Sequence, residues 1–388
     1  MSVMETITLS PKQQQQIRIL TTLIAGDIDI DTAAKALGYS TRHVERLRTM
    51  YKRHGAASLV HGNAGKEPIN KRDRTVRNQI LTLLRTKYEN FNIAHARDIL
   101  AERDGIAISY TALRRLCHEE HIESPRPQRR RSAHRSRRDR MPRAGMMLQA
   151  DGSPHAWLED RGPRLTLVSG IDDATSQLWG DFWEGETLEA YMHLLWSIAE
   201  SHGLPHAIYT DRTAIVAGTS RRYQPLAGEE TGGSLSQFAR ACKELDIRII
   251  LAHSPQAKGR TERSHGTLQD RLVSELRLEK IDTLEDARAY LKNTYLPRHN
   301  QRFSIQAADE TPAWRTWSST YAPRDVFCIK EDRKVSRDNT IRLYNKIFDI
   351  PKGPQGRSYA SCTVQVHRRY DDTIGIFYQG SQIAEGKR

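Results

Sequence analysis

The chain has 388 residues, 38% hydrophobic and 28% charged, which exceeds one ordinary domain and suffices for three or four modules with cores of their own. Sixty Lys and Arg against 47 Asp and Glu leave a net charge of +13 and an isoelectric point near 9.6, so a polyanion, nucleic acid first, is the expected partner. No run of about 18 apolar residues occurs and no basic segment precedes an apolar one at the start, which predicts a soluble cytoplasmic protein with no membrane contact. Four scattered cysteines predict neither structural zinc nor a disulfide.

The first third reads as two helical DNA-binding units, residues 1–66 and 67–123. Ser10 caps a helix that begins at Pro11, a short helix over Thr32 to Leu37 stops at Gly38, and Ser40 or Thr41 starts another through Tyr51. That is the punctuation of a helix-turn-helix, with Ala34, Leu37, Val44 and Leu47 inside and Arg42, His43 and Arg46 facing outward toward base edges and phosphates. "NIAHARDILAERDGIAISYTALRRLCHEEHI" repeats the pattern, with Ser109 as cap and Thr111, Arg114 and Arg115 as the candidate contacts. Ser124 to Arg143 follows, a linker with nine arginines, three prolines and one acidic residue, Asp139. Arg129, Arg130 and Arg131 at its centre are suited to tracking a phosphate backbone.

From Ala144 the pattern turns from helical to alternating, and residues 144–305 read as an α/β domain. "MMLQAD", "RLTLVSGIDD" and "QLWGDFW" predict three strands in a meander, "TLEAYMHLLWSIAESHG" an amphipathic helix, and "PHAIYTD" a short strand ending at Asp211. A helix over Leu235 to Leu245, the strand "IRIILA" and a last helix complete a layered arrangement. On that last helix Leu268, Leu272 and Leu276 form a buried stripe, and Glu262 falls about 70° from its centre. A carboxylate at such an edge, amid Lys258, Arg260, Arg263 and Arg271, is either ion-paired or held open for a cation. No phosphate-binding glycine motif occurs, so no nucleotide cofactor is expected. Asp172 and Asp173, a rival carboxylate pair, read as turn residues. His155 is open to a substrate or a packing role, and Trp157, Trp179, Trp183 and Trp196 read as core.

This order of elements resembles the ribonuclease-H-like core of retroviral integrases and DDE transposases. "SPQAKGRTERSHGTLQDRLVSELRL" and "ADGSPHAWLEDRGPRLTLVSGIDDATSQLWG" resemble the last-carboxylate helix and the catalytic-domain start of bacterial insertion-sequence transposases of the ISNCY group. Carried over residue by residue, the family's metal-binding carboxylates fall on Asp151, Asp211 and Glu262. Between the first two lie 59 residues, and between the last two 50, a longer interval than in retroviral integrases. The sequence "TDR" at Asp211 also departs from the Asp-Asn-Gly of many integrases.

The resemblance implies a DNA transposase that binds the terminal repeats of its element, then cleaves and joins strands using two Mg²⁺ ions, or Mn²⁺ in their place. Hard cations want oxygen ligands, and two of them about 3.5–4 Å apart can stabilise both the attacking and the leaving oxygen of a phosphodiester. Double-stranded DNA, both element ends and target, and further copies of the chain, as dimer or higher, are the implied partners; the implied location is the bacterial nucleoid. Lys258, Arg260 and Arg263 would line the strand being cut. A DNA-binding regulator with an inactive core and a nuclease that does not join are the alternatives. After a connector over 306–324, residues 325–388 alternate between turn signals and predict a small β-barrel, SH3-like by resemblance, that holds DNA or a partner.

Overall fold

The Ser10 side chain accepts from the Gln13 amide while Gln13 reaches back to the Ser10 amide, a capping box that starts helix α1 (Pro11–Ala25) with proline in its first turn. Asp29 caps α2 (Ile30–Leu37), Gly38 ends it at φ 68°, and Ser40 caps α3 (Thr41–His54). A left-handed φ at Gly38 costs glycine nothing, which lets the chain turn sharply into α3. Leu20, Leu23, Ala33, Ala34 and Val44 form the core of these helices, with Leu37 and Leu47 packed against it. The computed structural model describes residues 9–60, 73–125, 138–211, 236–251, 259–343 and 345–387. It divides into two compact units, Met1–Gln79 and Ile80–Arg388.

The division falls inside α4 (Arg74–Arg85), so the rest of the second helical segment, α5 (Ile93–Asp104) and α6 (Tyr110–Glu119), belongs to the larger unit. Asn92 and Ser109 cap α5 and α6. A five-stranded sheet follows. Strands β1 (Leu148–His155), β2 (Leu165–Asp172) and β3 (Leu178–Trp183) form the predicted antiparallel meander. Helix α7 (Leu188–Ser201) leads to β4 (Ala207–Thr210), α8 (Gln237–Glu244) to β5 (Arg248–Leu251), and α9 (Gly259–Leu278) closes the run. The strand order is β3-β2-β1-β4-β5, with β4 parallel to both neighbours.

The two faces of this sheet bury different cores. Leu148 and Ala150 of β1 point to Tyr191, Leu194, Ile198 and Phe238 of α7 and α8. Leu167 and Ile171 of β2 pack with Trp157, Phe182 and the α9 stripe Leu268, Leu272 and Leu276, all three fully buried. Each such leucine contributes about 1.5–3 kcal/mol, which holds α9 flat against the sheet. Helices α10 (Leu284–Tyr290) and α11 (Leu296–Phe303) join this side through a π-helical turn, Leu291–Tyr295.

Among the described residues the C-terminal strands are not joined into one closed sheet. After α12 (Pro323–Val326), the strands β6 (Ile329–Lys334), β9 (Thr363–Arg368), β10 (Thr373–Tyr378) and β11 (Ser381–Lys387) form an open antiparallel sheet. Strands β7 (Thr340–Leu343) and β8 (Lys346–Asp349) form a separate hairpin. Both edges of the sheet carry charge, Glu331 to Lys334 on β6 and Glu385 and Lys387 on β11, and charged edges disfavour closure by pairing. The module is fixed to the sheet domain: the Lys330 ammonium, almost wholly buried, meets Glu244 of α8 at 2.8 Å, and Arg240 donates to the Val326 carbonyl at 2.9 Å.

Candidate active site

Strands β1 and β4 run parallel with Leu148 level with Ile208 and Gln149 level with Tyr209. The same register carried two residues further sets Asp211, which directly follows β4, level with Asp151. Side chains alternate along a strand, so Gln149, Asp151 and Ser153 share one face of β1, and Asp211 continues the corresponding face of β4.

Helix α9 crosses that face and is pinned to it on both sides of Asp151. The Thr261 hydroxyl donates to Gln149 Oε1 at 3.0 Å, and the Gln269 amide donates to Ser153 Oγ at 3.1 Å. Between them His265 Nε2 and Ser169 Oγ are 2.9 Å apart, and Ser169 is the β2 residue paired with Asp151. Glu262 lies next to Thr261 and one turn before His265, in the first turn of α9, where Thr261 meets Gln149. Its side chain is exposed, and among the described residues it makes no ion pair.

Two residues that sequence reasoning missed complete the surroundings. Tyr191, buried on α7, donates to Glu186 Oε1 at 2.6 Å. Burial raises its phenol pKa strongly, the hydrogen bond to Glu186 raises it further, and the charges of Glu186, Asp151 and Asp211 all act in the same direction. Tyr191 therefore stays a protonated donor beside three carboxylates. Gly152 is what lets Glu186 approach: a Cβ there would stand 2.7 Å from its carboxyl carbon. A glutamate five residues before a tyrosine at a helix start was the only sequence signal for this pair.

Asp151, Asp211 and Glu262 are all oxygen donors, which suits a hard divalent cation and suits a soft one badly. Among the described residues no three His, Cys, Asp or Glu side chains are gathered closely enough to hold an ion. Carried past its two paired residues, the register sets Asp151 and Asp211 level on neighbouring strands, and α9, which begins with Glu262 in its first turn, packs on the same face of the sheet.

The other predicted residues are placed differently. Arg260, expected along DNA, meets the fully buried Asp173 at 2.6 Å and donates to the Arg138 carbonyl. Asp172 accepts from the Gly145 and Thr175 amides and holds the β2–β3 turn as expected, whereas the Asp173 carboxylate accepts from Gln149 Nε2 at 2.6 Å and so ties the start of that turn to β1 and α9. Arg263 is exposed, its Nε on the Gly259 carbonyl at 2.7 Å. Arg42 and Arg46 are exposed on α3, where His43 packs edge-on to Tyr39. Thr111, Arg114 and Arg115 are exposed on α6, with Arg115 3.8 Å from Glu119. Arg129, Arg130, Arg131 and Lys258 lie outside the described residues. His155 packs edge-on against Trp157, and burial lowers its pKa. Trp157 is fully buried, and Trp179, Trp183 and Trp196 pack at the border of the core. Among the described residues no helix is long and apolar enough to cross a membrane.

No family model matches the chain. It is 33% identical over 382 residues to a Sinorhizobium fredii protein named as a transposase, y4bF, covering 97% of this chain and 81% of that one. It is 31% identical over 355 residues to the transposase for insertion sequence IS1202 of Streptococcus pneumoniae, covering 81% of this chain and 73% of that one. Among solved structures, a simian T-cell lymphotropic virus intasome in complex with the PP2A regulatory subunit B56 gamma aligns at 17% identity and a TM-score of 0.30, covering 55% of this chain and 68% of that one. The HTLV-2 integrase catalytic core domain in complex with magnesium aligns at 16% identity and a TM-score of 0.29, covering 38% of this chain and 82% of that one.

Proposed function

The chain belongs to the bacterial insertion-sequence transposases, and from that premise we propose that it binds the terminal repeats of its element and performs metal-dependent strand cleavage and strand transfer. The observation that carries this reading is the β1–β4 register, which sets Asp211 level with Asp151 on the face that α9 crosses with Glu262. Asp151, Asp211 and Glu262 are the residues that would hold two Mg²⁺ ions, or Mn²⁺ in their place, and the chemistry these would supply is positive charge at the attacking and leaving oxygens of the phosphodiester. Tyr191 and Glu186 hold the β1 end of the site in place from the opposite face of the sheet. Each step exchanges one phosphorus–oxygen bond for another, so no nucleotide cofactor is consumed.

DNA binding is divided among the modules. The outward residues of α3 and α6 read or hold the duplex, the arginine linker tracks its backbone, and the C-terminal sheet module contacts DNA or a second subunit. Two ends must be joined and one carboxylate set serves one phosphate at a time, so the working form contains at least two chains. A strand-transfer assay with the element's own ends and Mg²⁺ tests the reading. Joined product from the native chain, and none from Asp151→Asn, Asp211→Asn or Glu262→Gln, is the expected result. Cutting without joining would identify a nuclease, and DNA binding with neither activity a regulator.

A further inference from the structure

Three guanidinium groups meet at a single buried carboxylate, Asp173, at the start of α9 beside the β2–β3 turn. Arg260 and Arg138 both bind Asp173, while Arg140 Nη1 donates to the Asp173 carbonyl at 3.0 Å and to Ser176 Oγ at 2.8 Å. Arg263 stands one turn along on α9. Among the described residues neither Arg140 nor Arg263 is paired with a carboxylate. Arg138, Arg140, Arg260 and Arg263 outnumber the nearby carboxylates of Asp139, Asp172 and Asp173, and the positive charge left over at Arg140 and Arg263 suits an anion from outside.

The space beside them is an open cleft of about 290 Å³, rimmed by Arg140, Arg260 and Arg263 and floored by Ile171 and Phe303. The Ser176 and Thr267 hydroxyls lie in the same wall. That volume equals roughly ten waters at their liquid share of about 30 Å³, more room than a bare phosphate needs. A basic rim over an apolar floor matches a phosphate carried on a sugar. On α9 the residues at 260, 263 and 267 lie about 100–160° around the helix from Glu262, so the cleft and the carboxylates open on different sides.

We propose that this cleft binds a sugar-phosphate unit of the DNA backbone, away from the phosphate being cut, and anchors the duplex on the helix that carries Glu262. The proposal rests on the reading of the chain as a DNA-processing transposase. Recognition here is of backbone charge and not of sequence.

The test measures binding of the full chain to a random-sequence DNA duplex over a range of salt, with Arg140→Gln, Arg263→Gln and the double variant. The expected result is a salt slope flatter by about 0.9 for each phosphate that the variant no longer neutralises. Because Arg140 also holds the β2–β3 turn, Thr267→Glu provides a second variant. It places a carboxylate in the cleft while every hydrogen bond of the turn stays in place, and should weaken binding at low salt by about tenfold with little effect at high salt. An unchanged slope in Arg263→Gln together with native affinity in Thr267→Glu would overturn the proposal. Asp211→Asn, measured in parallel for binding and joining, separates the two ideas: joining by that variant with flattened slopes in the arginine variants would end the carboxylate assignment and leave the cleft standing.

Discussion

His95 of α5 and Glu275 of α9 are 180 residues apart in the chain and 3.0 Å apart in space, Nε2 to Oε1, and both are buried. Around them Asp98 takes Arg271 at 2.9 Å and also pairs with Arg302, Glu275 takes the Tyr290 hydroxyl at 2.6 Å and Arg298, and Arg277 donates to the Glu89 carbonyl at 3.0 Å. The second helical segment is thereby welded to the helix that carries Glu262. His95→Ala removes one partner of a buried carboxylate and should cost about 1–3 kcal/mol. Amide exchange in α5 and α6 should accelerate while α1 to α3, in the other compact unit, stay unchanged; equal acceleration everywhere would refute a local weld.

Acid should loosen this region, and the C-terminal sheet module with it, in two stages. Burial lowers His299 and His367 from 6.5 to about 4, with the nearby charges of Arg271 and Lys330 respectively acting in the same direction. Below pH 6.5 the unfolded chain therefore takes up protons that the folded chain refuses, and stability falls until about pH 4. Burial alone would raise Glu275, but hydrogen bonds from His95 and Tyr290 and the charge of Arg298 outweigh it and bring the carboxyl from 4.5 to about 2. Its contribution is complete above about 4.5 and is lost as pH falls through about 2, on the order of 3 kcal/mol in all. Denaturant midpoints across pH should show both declines, and Glu275→Gln should remove the lower one only.

Gly152→Ala should damage the site without touching a proposed ligand. The new methyl would meet the Glu186 carboxylate at 2.7–3.0 Å, and that carboxylate is held by Tyr191. Relieving the clash breaks the Tyr191 bond or shifts β1 beside Asp151, and overpacking of this kind costs about 1–3 kcal/mol. Joining should fall by at least tenfold while DNA affinity stays within about twofold. Native joining rates in Gly152→Ala would show that the Glu186 and Tyr191 arrangement does not bear on the chemistry.

Much of this site is legible in sequence because its determinants are local. The alternation in "MMLQAD" sets Asp151 on its face, the short strand ending at Asp211 follows from four apolar-rich residues, and Ser10, Gly38 and Ser109 mark helix ends by their own backbone chemistry. What is not legible depends on partners far along the chain. Arg260 looks like any surface cation until Asp173 is folded against it, 87 residues away in sequence. His95 and Asp98 look like an ordinary polar helix face for the same reason. The C-terminal strands alternate as barrel strands do, but alternation sets the faces of a strand and leaves open whether the outer edges meet.

Arg46→Ala and the triple replacement of Arg129, Arg130 and Arg131 by alanine should separate readout from general affinity. The exposed Arg46 lies near the start of α3, so its loss should fall on the end sequence. The linker variant should weaken all duplexes alike and flatten the salt slope by up to about 0.9 for each phosphate left without its arginine. Titrations against end and random duplexes decide it; the reverse pattern would move readout out of α3.

Action of one chain on the end bound by another should show up by complementation, and the weld dictates how to truncate. A chain lacking residues 1–122 would leave Glu275, Asp270 and Arg271 without their α5 partners, so the shortened partner should begin at Ile80. Mixing it with Glu262→Gln chains should restore joining that neither gives alone. Efficient joining by a species of monomer mass on DNA would exclude the idea.

The two hydrogen bonds from α9 to β1 make the height of Glu262 a property of the strand and not of the loop before the helix. Thr261 and Gln269 take their positions from Gln149 and Ser153, so where the glutamate arrives is set by these two bonds and not by the number of residues between Asp211 and Gly259. The residue types at 149, 153, 261 and 269 form the gauge against which α9, and Glu262 with it, is set.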